Sequence, residues 1–374
     1  MDHPVKYLSN LTPLRGIAAL LVAIFHFEMA IARFVPAART MFFEKSYLMV
    51  DLFFVMSGFI MFHVYGENFR SAIRKTDLRK FIVARFARIY PLHLFTLLLL
   101  VFLVYVVLGP ATQPASIEAP WAILTNFLLL QAYGIHHIYT WNIPSWSISA
   151  EWAAYLLFPL LALFLGRKGK AAIIVLCLSV PLAYLSIMYL LPRFNPYNPA
   201  IPVPHNINST YDWGFLRGIA GFITGMLMYF LYRRPGWKRF FRGDMPGLLV
   251  LLFLIAALHF AVNDLLVVAL FAALVLAFAC NDGYIQVVCS KSLLQYLGDI
   301  SYSIYLMQIF LQVPFAHGWR LPGVTGFGRG KQSIAFSSGF LYCLLYLLLL
   351  VGISSITYYA VERPCRRYIN RRWG

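Results

Sequence analysis

Apolar segments long enough to cross a bilayer recur along the whole chain, and this feature constrains its fold most. A helix needs about 20 apolar residues to span a hydrocarbon core of about 30 Å, and in lipid it satisfies its own backbone hydrogen bonds. Charged residues make up 12% of the chain, against roughly 25% in soluble domains. The sequence therefore predicts an all-α polytopic membrane protein, a bundle of about ten transmembrane helices. The predicted spans lie at about 13–33, 47–65, 81–108, 148–165, 171–191, 214–232, 246–262, 265–280, 298–315 and 334–360.

Clusters of basic residues between the spans predict how the bundle is oriented. Short loops rich in lysine and arginine stay in the cytoplasm, and about ten crossings put all the clusters and both termini on that side. The short apolar segment 119–133 would divide the clusters between the two sides if it spanned, so we expect it to be re-entrant or interfacial. Residues 1–374 are expected to form a single membrane domain with no appended extracytoplasmic domain. The clusters lie at 70–88, 167–170, 233–242 and 363–372.

The distribution of charge argues against a nucleic-acid site, and the cysteine content argues against a disulfide framework and a zinc site. The net charge of +17 does not indicate a nucleic-acid partner, because the basic residues lie in short loops, as in proteins oriented in a lipid bilayer. The five cysteines are scattered and include no CxxC pair, so they indicate neither a disulfide framework nor a zinc site. No metal is expected.

Two ionisable residues, Arg15 and His26, lie inside the first apolar stretch. In one helix, residues eleven positions apart share a face and are separated by roughly 16 Å along the axis. Ionisable side chains at membrane depth usually face a cavity or a partner. The pair therefore suggests an anionic ligand that reaches inward toward a base. Alternatively, Arg15 snorkels to the headgroups and His26 is a hydrogen-bonded packing residue.

An acidic residue, Asp51, opens the second span at a predicted depth similar to that of His26. A carboxylate there could act in catalysis by orienting the imidazole or by contacting an acceptor. It could equally cap the helix N-terminus, where a negative charge is favourable. The sequence leaves both interpretations open.

Two arginines, Arg85 and Arg88, lie three residues apart at the predicted cytoplasmic entrance of the third span. On a helix they share a face. Guanidinium groups bind phosphates through paired hydrogen bonds, so two stacked arginines predict a cradle for a diphosphate. The alternative is a basic cluster that only orients the helix, although that explains arginines this far into an apolar run less well.

The predicted outer side carries further polar residues. Glu151 follows Trp146 and Ser149 at the start of the fourth span, where an acid beside a tryptophan could bind or activate a hydroxyl; its alternative is a helix N-terminal carboxylate. Arg217 lies among small residues and is expected to face the interior, near substrate. The outer loop 192–213 is rich in proline, asparagine and aromatic residues. Such a loop suits a sugar-binding surface, or is an ordinary ordered loop.

These segments together resemble the membrane-bound acyltransferase-3 family, the bacterial O-acyltransferases of surface glycans. The first segment is similar to the family's Arg-x10-His signature, and the others follow the family's pattern in its order over essentially the whole chain. Any single motif is weak evidence for the family, whereas seven motifs in the family's order are specific to it. The motifs read LTPLRGIAALLVAIFH, VDLFFVMSGF, ARFARIYPLHLF, PSWSISAEWAAYLLFP, LRGIAGFITG, LQYLGDISYSIYL and VERPCRRY.

The resemblance implies a bundle in the bacterial cytoplasmic (inner) membrane that uses cytoplasmic acetyl-CoA, or another acyl-CoA, to acylate a hydroxyl of a glycan such as an exopolysaccharide or O-antigen unit. It implies that His26 is the essential catalytic residue, as a general base or an acyl carrier. It also implies that Arg15, Arg85 and Arg88 serve the donor, and that Glu151 is the acid of the family's Trp-Ser-x-Ser-x-Glu motif.

The chain departs from the family pattern at two positions. Thr12 stands where members often have aspartate, and Gln308 stands where the motif SYSxYLxH would give a histidine. The second departure leaves His26 as the strong base candidate. A different class of protein is also compatible with a buried cation and histidine: a transporter or flippase for an anionic or glycan substrate, with the pair as a binding and proton-relay site.

Overall fold

The computed structural model describes residues 7–108, 120–194, 206–316, 321–322 and 334–374. The described chain is built from α-helices joined by turns and short 3-10 and π segments. The first helices are α1 (Leu11–Ala30), α2 (Met49–Phe69), α3 (Lys75–Phe102), α4 (Pro120–Phe127), α5 (Trp146–Lys168), α6 (Lys170–Leu185) and α7 (Gly214–Tyr232). They are followed by α8 (Pro235–Phe240), α9 (Asp244–His259), α10 (Asp264–Cys280), α11 (Tyr284–Cys289), α12 (Ser292–Asp299), α13 (Ser301–Ala316), α14 (Phe336–Thr357) and α15 (Arg363–Trp373).

Among the described residues, seven helices are long and apolar enough to cross a membrane: α1, α2, α3, α5, α6, α7 and α14 with the extensions of α2, α3, α5, α6 and α14. The predicted all-α polytopic membrane protein is confirmed. Helices α9 and α10 are also apolar but shorter, at 16 and 17 residues, and α13 has 16. A helix of this length rises about 24 Å, less than a bilayer core, so the number ten stays a prediction.

Within the described part of the ambiguous segment 119–133, Pro120–Phe127 form one short helix, α4, of eight residues. Eight residues rise about 12 Å, too little to cross a bilayer, which agrees with the prediction that this segment does not span. The chain turns back after it through Leu129, whose φ is +57°. The buried amide of Asn126 stabilises the turn by donating to the Ala122 carbonyl (2.9 Å) and the Thr140 hydroxyl (2.8 Å).

Glycines allow α2 and α7 to pack backbone against backbone. A Cβ added at Gly58 would lie 1.8 Å from the carbonyl oxygen of Phe222, and one at Gly225 would lie 1.9 Å from that of Val55. Small residues at a helix interface permit this approach in membranes, where packing replaces the hydrophobic drive to associate. The contact fixes the position of Arg217, near the start of α7, against the first turn of α2.

A second close contact positions the histidine of α1. A Cβ at Gly16 would lie 2.8 Å from the backbone nitrogen of Gly298, so α1 lies directly against the junction of α12 and α13. Ten residues further along, α1 presents His26 to Gln308 of α13. The C-terminal α15 packs against α3, and this brings the last basic helix beside Arg85 and Arg88.

Candidate active site

Three cavities follow one another through the bundle. The first, called here the basic mouth, has a volume of about 400 Å³, and the central cavity has about 140 Å³. These two share Arg15, Arg85 and Arg88 as lining residues. The third, the histidine chamber, has about 250 Å³ and shares Val50 and Tyr305 with the central cavity. The shared lining residues place the cavities next to one another in a row, with arginines at one end and His26 at the other.

The basic mouth is formed where α1, α3 and α15 meet. It is lined by Arg15, Arg85, Arg88 and Arg366, with the carboxylate of Asp299 beside them. The three arginines predicted to serve the donor therefore do lie together. Arg366 was assigned by the sequence to a basic tail that orients the chain, although it belongs to the motif VERPCRRY that points to the site.

The arginines of the mouth differ in how far their hydrogen-bonding groups are used. Arg88 forms an ion pair with Glu362, which is 1% exposed and accepts a second hydrogen bond from Ser303 (2.8 Å). Arg15 makes a long contact with the Thr12 hydroxyl (3.4 Å), and Arg85 donates to the Tyr65 hydroxyl (3.3 Å).

Arg15 and Arg85 keep free donors. The Nε of each is buried and has no hydrogen-bond partner among the described residues. Buried polar groups are nearly always hydrogen-bonded, so these unpaired donors beside a cavity are open to an acceptor from a ligand or a water molecule. Arg15 and Arg85 together offer several donors to an anion, whereas Glu362 already neutralises Arg88.

The central cavity is mainly apolar, and Glu151 is its acid. The Oε1 atom of Glu151 accepts hydrogen bonds from Ser57 (2.8 Å) and from the phenol of Tyr155 (2.5 Å). The sequence placed Glu151 at the outer interface, but in the structure it shares the central cavity with the mouth arginines. The reason is its register: Glu151 is five residues beyond the start of α5, about 7.5 Å deeper than Trp146.

His26 lines the histidine chamber and is half-buried. Its Nδ1 lies 3.2 Å from Oε1 of Gln308, so an uncharged amide orients the imidazole. The chamber walls are aromatic and polar; they include Trp146, a predicted substrate-binding residue. The other aromatic and polar lining residues are Phe25, Tyr47, Tyr139, Asn208, Thr210, Tyr305 and Gln312.

The outer loop 192–213 contributes directly to the histidine chamber. Asn208 and Thr210 line it, whereas residues 195–205 lie outside the described part of the chain. Tyr139, from the turn after α4, packs against Tyr211 of this outer loop; burial raises the pKa of the Tyr139 phenol, so it stays protonated at neutral pH. The chamber therefore offers aromatic rings and uncharged hydrogen-bonding groups around one imidazole.

Asp51 and Arg217, which the sequence singled out separately, form one buried ion pair. Arg217 donates to Asp51 from Nε (3.0 Å) and Nη2 (2.6 Å), and both side chains are 0% exposed. Arg217 also donates to the Asn208 amide oxygen (3.2 Å) and the Ser209 carbonyl (3.3 Å). Neither Asp51 nor Arg217 lines the three cavities; together they hold the walls of the histidine chamber, and Gln308 occupies the place beside the imidazole.

The hydroxyl of Ser149 is also hydrogen-bonded within the protein. It is fully buried, donates to the Leu129 carbonyl (2.6 Å) and accepts from the Ala132 N–H (3.3 Å). These bonds fasten the strained turn after α4 to α5. Ser149 does not line the three cavities, so the predicted contact with substrate has no structural counterpart there.

Asp264 is a residue of the site region that the sequence analysis missed. Its carboxylate accepts from Lys45 (2.6 Å), from the phenol of Tyr47 (2.6 Å) and from the backbone N–H of Ile207 (3.1 Å). It thus ties the outer loop to a chamber wall. Its position at the start of an apolar span resembles that of Asp51, and this similarity was the available signal. No cluster of histidine, cysteine and carboxylate side chains with metal-binding geometry occurs in the described ranges.

Comparison with known proteins agrees with this architecture. A sequence model described as an acyltransferase domain matches residues 9–359. The chain is 27% identical, over all of its length and 95% of the relative's, to a protein named acyltransferase MdmB from Streptomyces mycarofaciens. A second relative, protein 2 in the picA locus of Rhizobium radiobacter, is 34% identical over 35% of this chain and 68% of its own length.

Proposed function

The chain belongs to the acyltransferase-3 family of membrane acyltransferases, and we propose that it moves an acetyl group from cytoplasmic acetyl-CoA, through the bundle, to a hydroxyl of a glycan acceptor. The observation that carries this proposal is the row of three cavities, which joins a basic mouth to an imidazole. A transporter could use the same cation and histidine as a binding and proton-relay site, and the family match over residues 9–359 favours the acyltransferase. The acceptor would be an exopolysaccharide or a lipid-linked sugar unit.

In the proposed orientation the basic mouth faces the cytoplasm of a bacterium and the histidine chamber faces outward. The basic clusters 70–88 and 363–372 contain Arg85, Arg88 and Arg366 of the mouth, and positive residues favour the cytoplasmic side. About ten crossings of the inner membrane put both termini inside, with 119–133 at the outer surface or re-entrant. All of residues 1–374 then form one catalytic domain.

The donor would bind with its phosphates at the mouth. Arg15, Arg85 and Arg366 would hold the phosphates, because guanidinium groups pair with phosphate oxygens. Arg88, held by Glu362, would complete the positive field. The pantetheine arm would extend along the central cavity, where the Glu151 carboxylate can accept a hydrogen bond from one of its amides, and place the thioester at the boundary formed by Val50 and Tyr305.

The acceptor would enter the histidine chamber from the outer side. Aromatic rings such as Trp146 and Tyr139 would stack on the C–H faces of a sugar, and Asn208 would bond its hydroxyls. Asp51, Arg217 and Ser149 would act indirectly, by holding these walls in place. Uncharged walls suit a neutral acceptor better than an anionic one, since the mouth arginines lie at the opposite end of the row.

In the proposed reaction, neutral His26 removes the proton of the acceptor hydroxyl as its oxygen attacks the thioester carbonyl carbon. The tetrahedral intermediate collapses, the C–S bond breaks, and the leaving thiolate of CoA takes the proton back from the imidazolium. A general base of this kind contributes typically 10²–10⁴-fold. If His26 instead attacks the thioester itself, the C–S bond breaks, CoA leaves as the thiolate and the acyl group stays on the imidazole. The acceptor oxygen then displaces the imidazole from the acyl group, the imidazole takes the acceptor's proton, and the kinetics become ping-pong.

The test is turnover of acetyl-CoA by the purified protein in nanodiscs, with free CoA as readout and with and without a bacterial glycan extract as acceptor. Wild type should release CoA, His26→Ala should not, and His137→Ala, which replaces an exposed histidine outside the three cavities, should behave as wild type. CoA release by His26→Ala at the wild-type rate would contradict the catalytic assignment. Failure of wild type both to bind and to cleave acetyl-CoA would favour the transporter.

A further inference from the structure

The hydrogen bonds of Gln308 fix which end of its amide faces His26. Gln308 is 0% exposed, and its Nε2 donates to the carbonyl oxygen of Tyr305 (2.8 Å). A carbonyl only accepts, so the amide nitrogen must be at that end and the amide oxygen at the other. The oxygen is the atom found 3.2 Å from Nδ1 of His26.

The orientation of the amide constrains the protonation of the imidazole, for which the backbone carbonyl of Val22 is a second hydrogen-bond acceptor. An amide oxygen has no hydrogen to give, so the contact requires a hydrogen on Nδ1. A neutral imidazole carries one N–H, and Nε2 is therefore left with its lone pair. The ring is half-buried and lines the chamber, whereas Gln308 lies behind it.

We propose that Gln308 is a positioning residue that holds His26 in the Nδ1–H tautomer, so that Nε2 is the atom that accepts the proton, or the acyl group, in the histidine chamber. This inference rests on the proposed function and adds to it the reacting atom. It also explains why this chain works with a glutamine where the resembled motif has a histidine: an amide accepts the hydrogen bond without ever taking a charge.

The composition of the chamber makes the proposal measurable. The titratable groups that line the histidine chamber with His26 are the phenols of Tyr47, Tyr139 and Tyr305; within the described residues no carboxylate, cation or second histidine lines it. The nearby ion pair of Asp51 and Arg217 is buried behind the wall. A change in activity with pH over the imidazole range therefore reports on His26 and on position 308.

The decisive experiment compares variants at position 308 that keep or remove the acceptor atom. Gln308→Leu removes it, and kcat should fall on the order of 10–100-fold, the cost of removing partners that orient metal-bound imidazoles, with the KM for acetyl-CoA unchanged. Gln308→Glu keeps an acceptor, so it should retain most of kcat, while the acid limb of its pH–rate profile moves to higher pH, because a carboxylate stabilises the imidazolium.

Two further variants keep the test informative if one protein folds poorly. Gln308→His can accept the hydrogen bond when neutral but not when protonated, so it should be active at high pH and lose activity steeply as the pH falls. Gln131→Leu is the matched control, because Gln131 is also buried and also donates to a backbone carbonyl, that of Ser145 (3.0 Å), but lines none of the cavities.

The outcomes separate this proposal from the proposed function. Wild-type turnover that His26→Ala abolishes establishes the function, and only then does position 308 matter. Equal activity of Gln308→Leu and wild type at all pH values would overturn the tautomer assignment while leaving the acyltransferase intact. Equal loss in Gln308→Leu and Gln308→Glu, with both folded, would overturn it too, because the acceptor atom would then be irrelevant.

Discussion

The two ends of the cavity row use buried arginines in opposite ways. Behind the wall of the histidine chamber, Arg217 is paired with Asp51 and donates to further oxygens. At the basic mouth Arg88 is paired with Glu362, whereas Arg15 and Arg85 make long hydrogen bonds to hydroxyls. Arg85 also lies over the rings of Tyr65 and Tyr155, and the Nε atoms of Arg15 and Arg85 have no hydrogen-bond partner among the described residues. A buried arginine is thus not by itself a binding site. An arginine whose donors are all hydrogen-bonded supports the fold, whereas an arginine with unpaired donors can still bind an anion.

The largest expected effect follows from breaking the satisfied pair. Arg217→Met leaves the Asp51 carboxylate buried without a counter-ion, and removal of one partner of a buried ion pair destabilises by about 3–5 kcal/mol. The measurement is thermal unfolding in detergent. The double variant Arg217→Met with Asp51→Leu should recover much of the stability, because it removes both charges. An unfolding temperature of Arg217→Met equal to that of wild type would contradict the structural role.

The next effect concerns the boundary between the two ends. Val50→Phe enlarges a wall shared by the central cavity and the histidine chamber, so the thioester should no longer reach His26. Acetyl transfer should fall on the order of 100-fold, since displacement of about 1 Å can have that effect, with CoA binding preserved. Val64→Phe, on an exposed face of the same helix, is the control. Full transfer by Val50→Phe would disprove passage across this wall.

Removal of a mouth arginine that has unpaired donors should weaken CoA binding without affecting folding. Hydrogen bonds to charged groups contribute about 1.5–3 kcal/mol, so Arg85→Ala should raise the Kd for CoA roughly 10- to 100-fold without lowering the unfolding temperature. Arg85→Lys should give an intermediate Kd, because it keeps the charge but loses the paired donors. Calorimetric titration with CoA measures both, and an unchanged Kd in Arg85→Ala would exclude a phosphate site at the mouth.

The smallest expected effect is a difference between the two ends in their response to ionic strength. Raising the salt from about 0.1 M to about 1 M shortens the Debye length from about 10 to 3 Å, so CoA binding at the open mouth should weaken several-fold. The stability difference between wild type and Arg217→Met should persist, since buried pairs are screened much less. CoA binding that is insensitive to salt would argue against electrostatic binding of CoA at the basic mouth.

Sequence periodicity could predict the seven long apolar helices, because each depends on the geometry of a single segment. The same geometry predicts that Arg15 and His26 share a face of α1. Periodicity could not predict the pairs that make the site. Asp51 and Arg217 are 166 positions apart, Arg88 and Glu362 are 274 apart, and His26 and Gln308 are 282 apart. Such contacts depend on how helices pack, and the close backbone contacts at glycines between α2 and α7 and between α1 and α12 are not visible in a hydrophobic pattern.

The same limit explains the residues whose predicted surroundings changed. Ser149 and Glu151 lie in one motif, yet two residues of helix rotate them to different faces, one toward the backbone of the turn after α4 and the other into the central cavity. In the sequence, Arg366 is one charge of a basic tail. In the structure, α15 packs against α3 and brings Arg366 into the basic mouth. Motifs indicate which residues matter, whereas packing determines what each of them touches.

The central claim is that one end of the cavity row binds the donor and the other end reacts. The most direct measurement is CoA binding and acetyl-CoA cleavage on the same nanodisc samples of wild type and His26→Ala. The account predicts that His26→Ala binds CoA with the wild-type Kd and releases no CoA from acetyl-CoA. Loss of CoA binding together with cleavage, in a His26→Ala protein that unfolds at the wild-type temperature, would contradict the separation of the two ends.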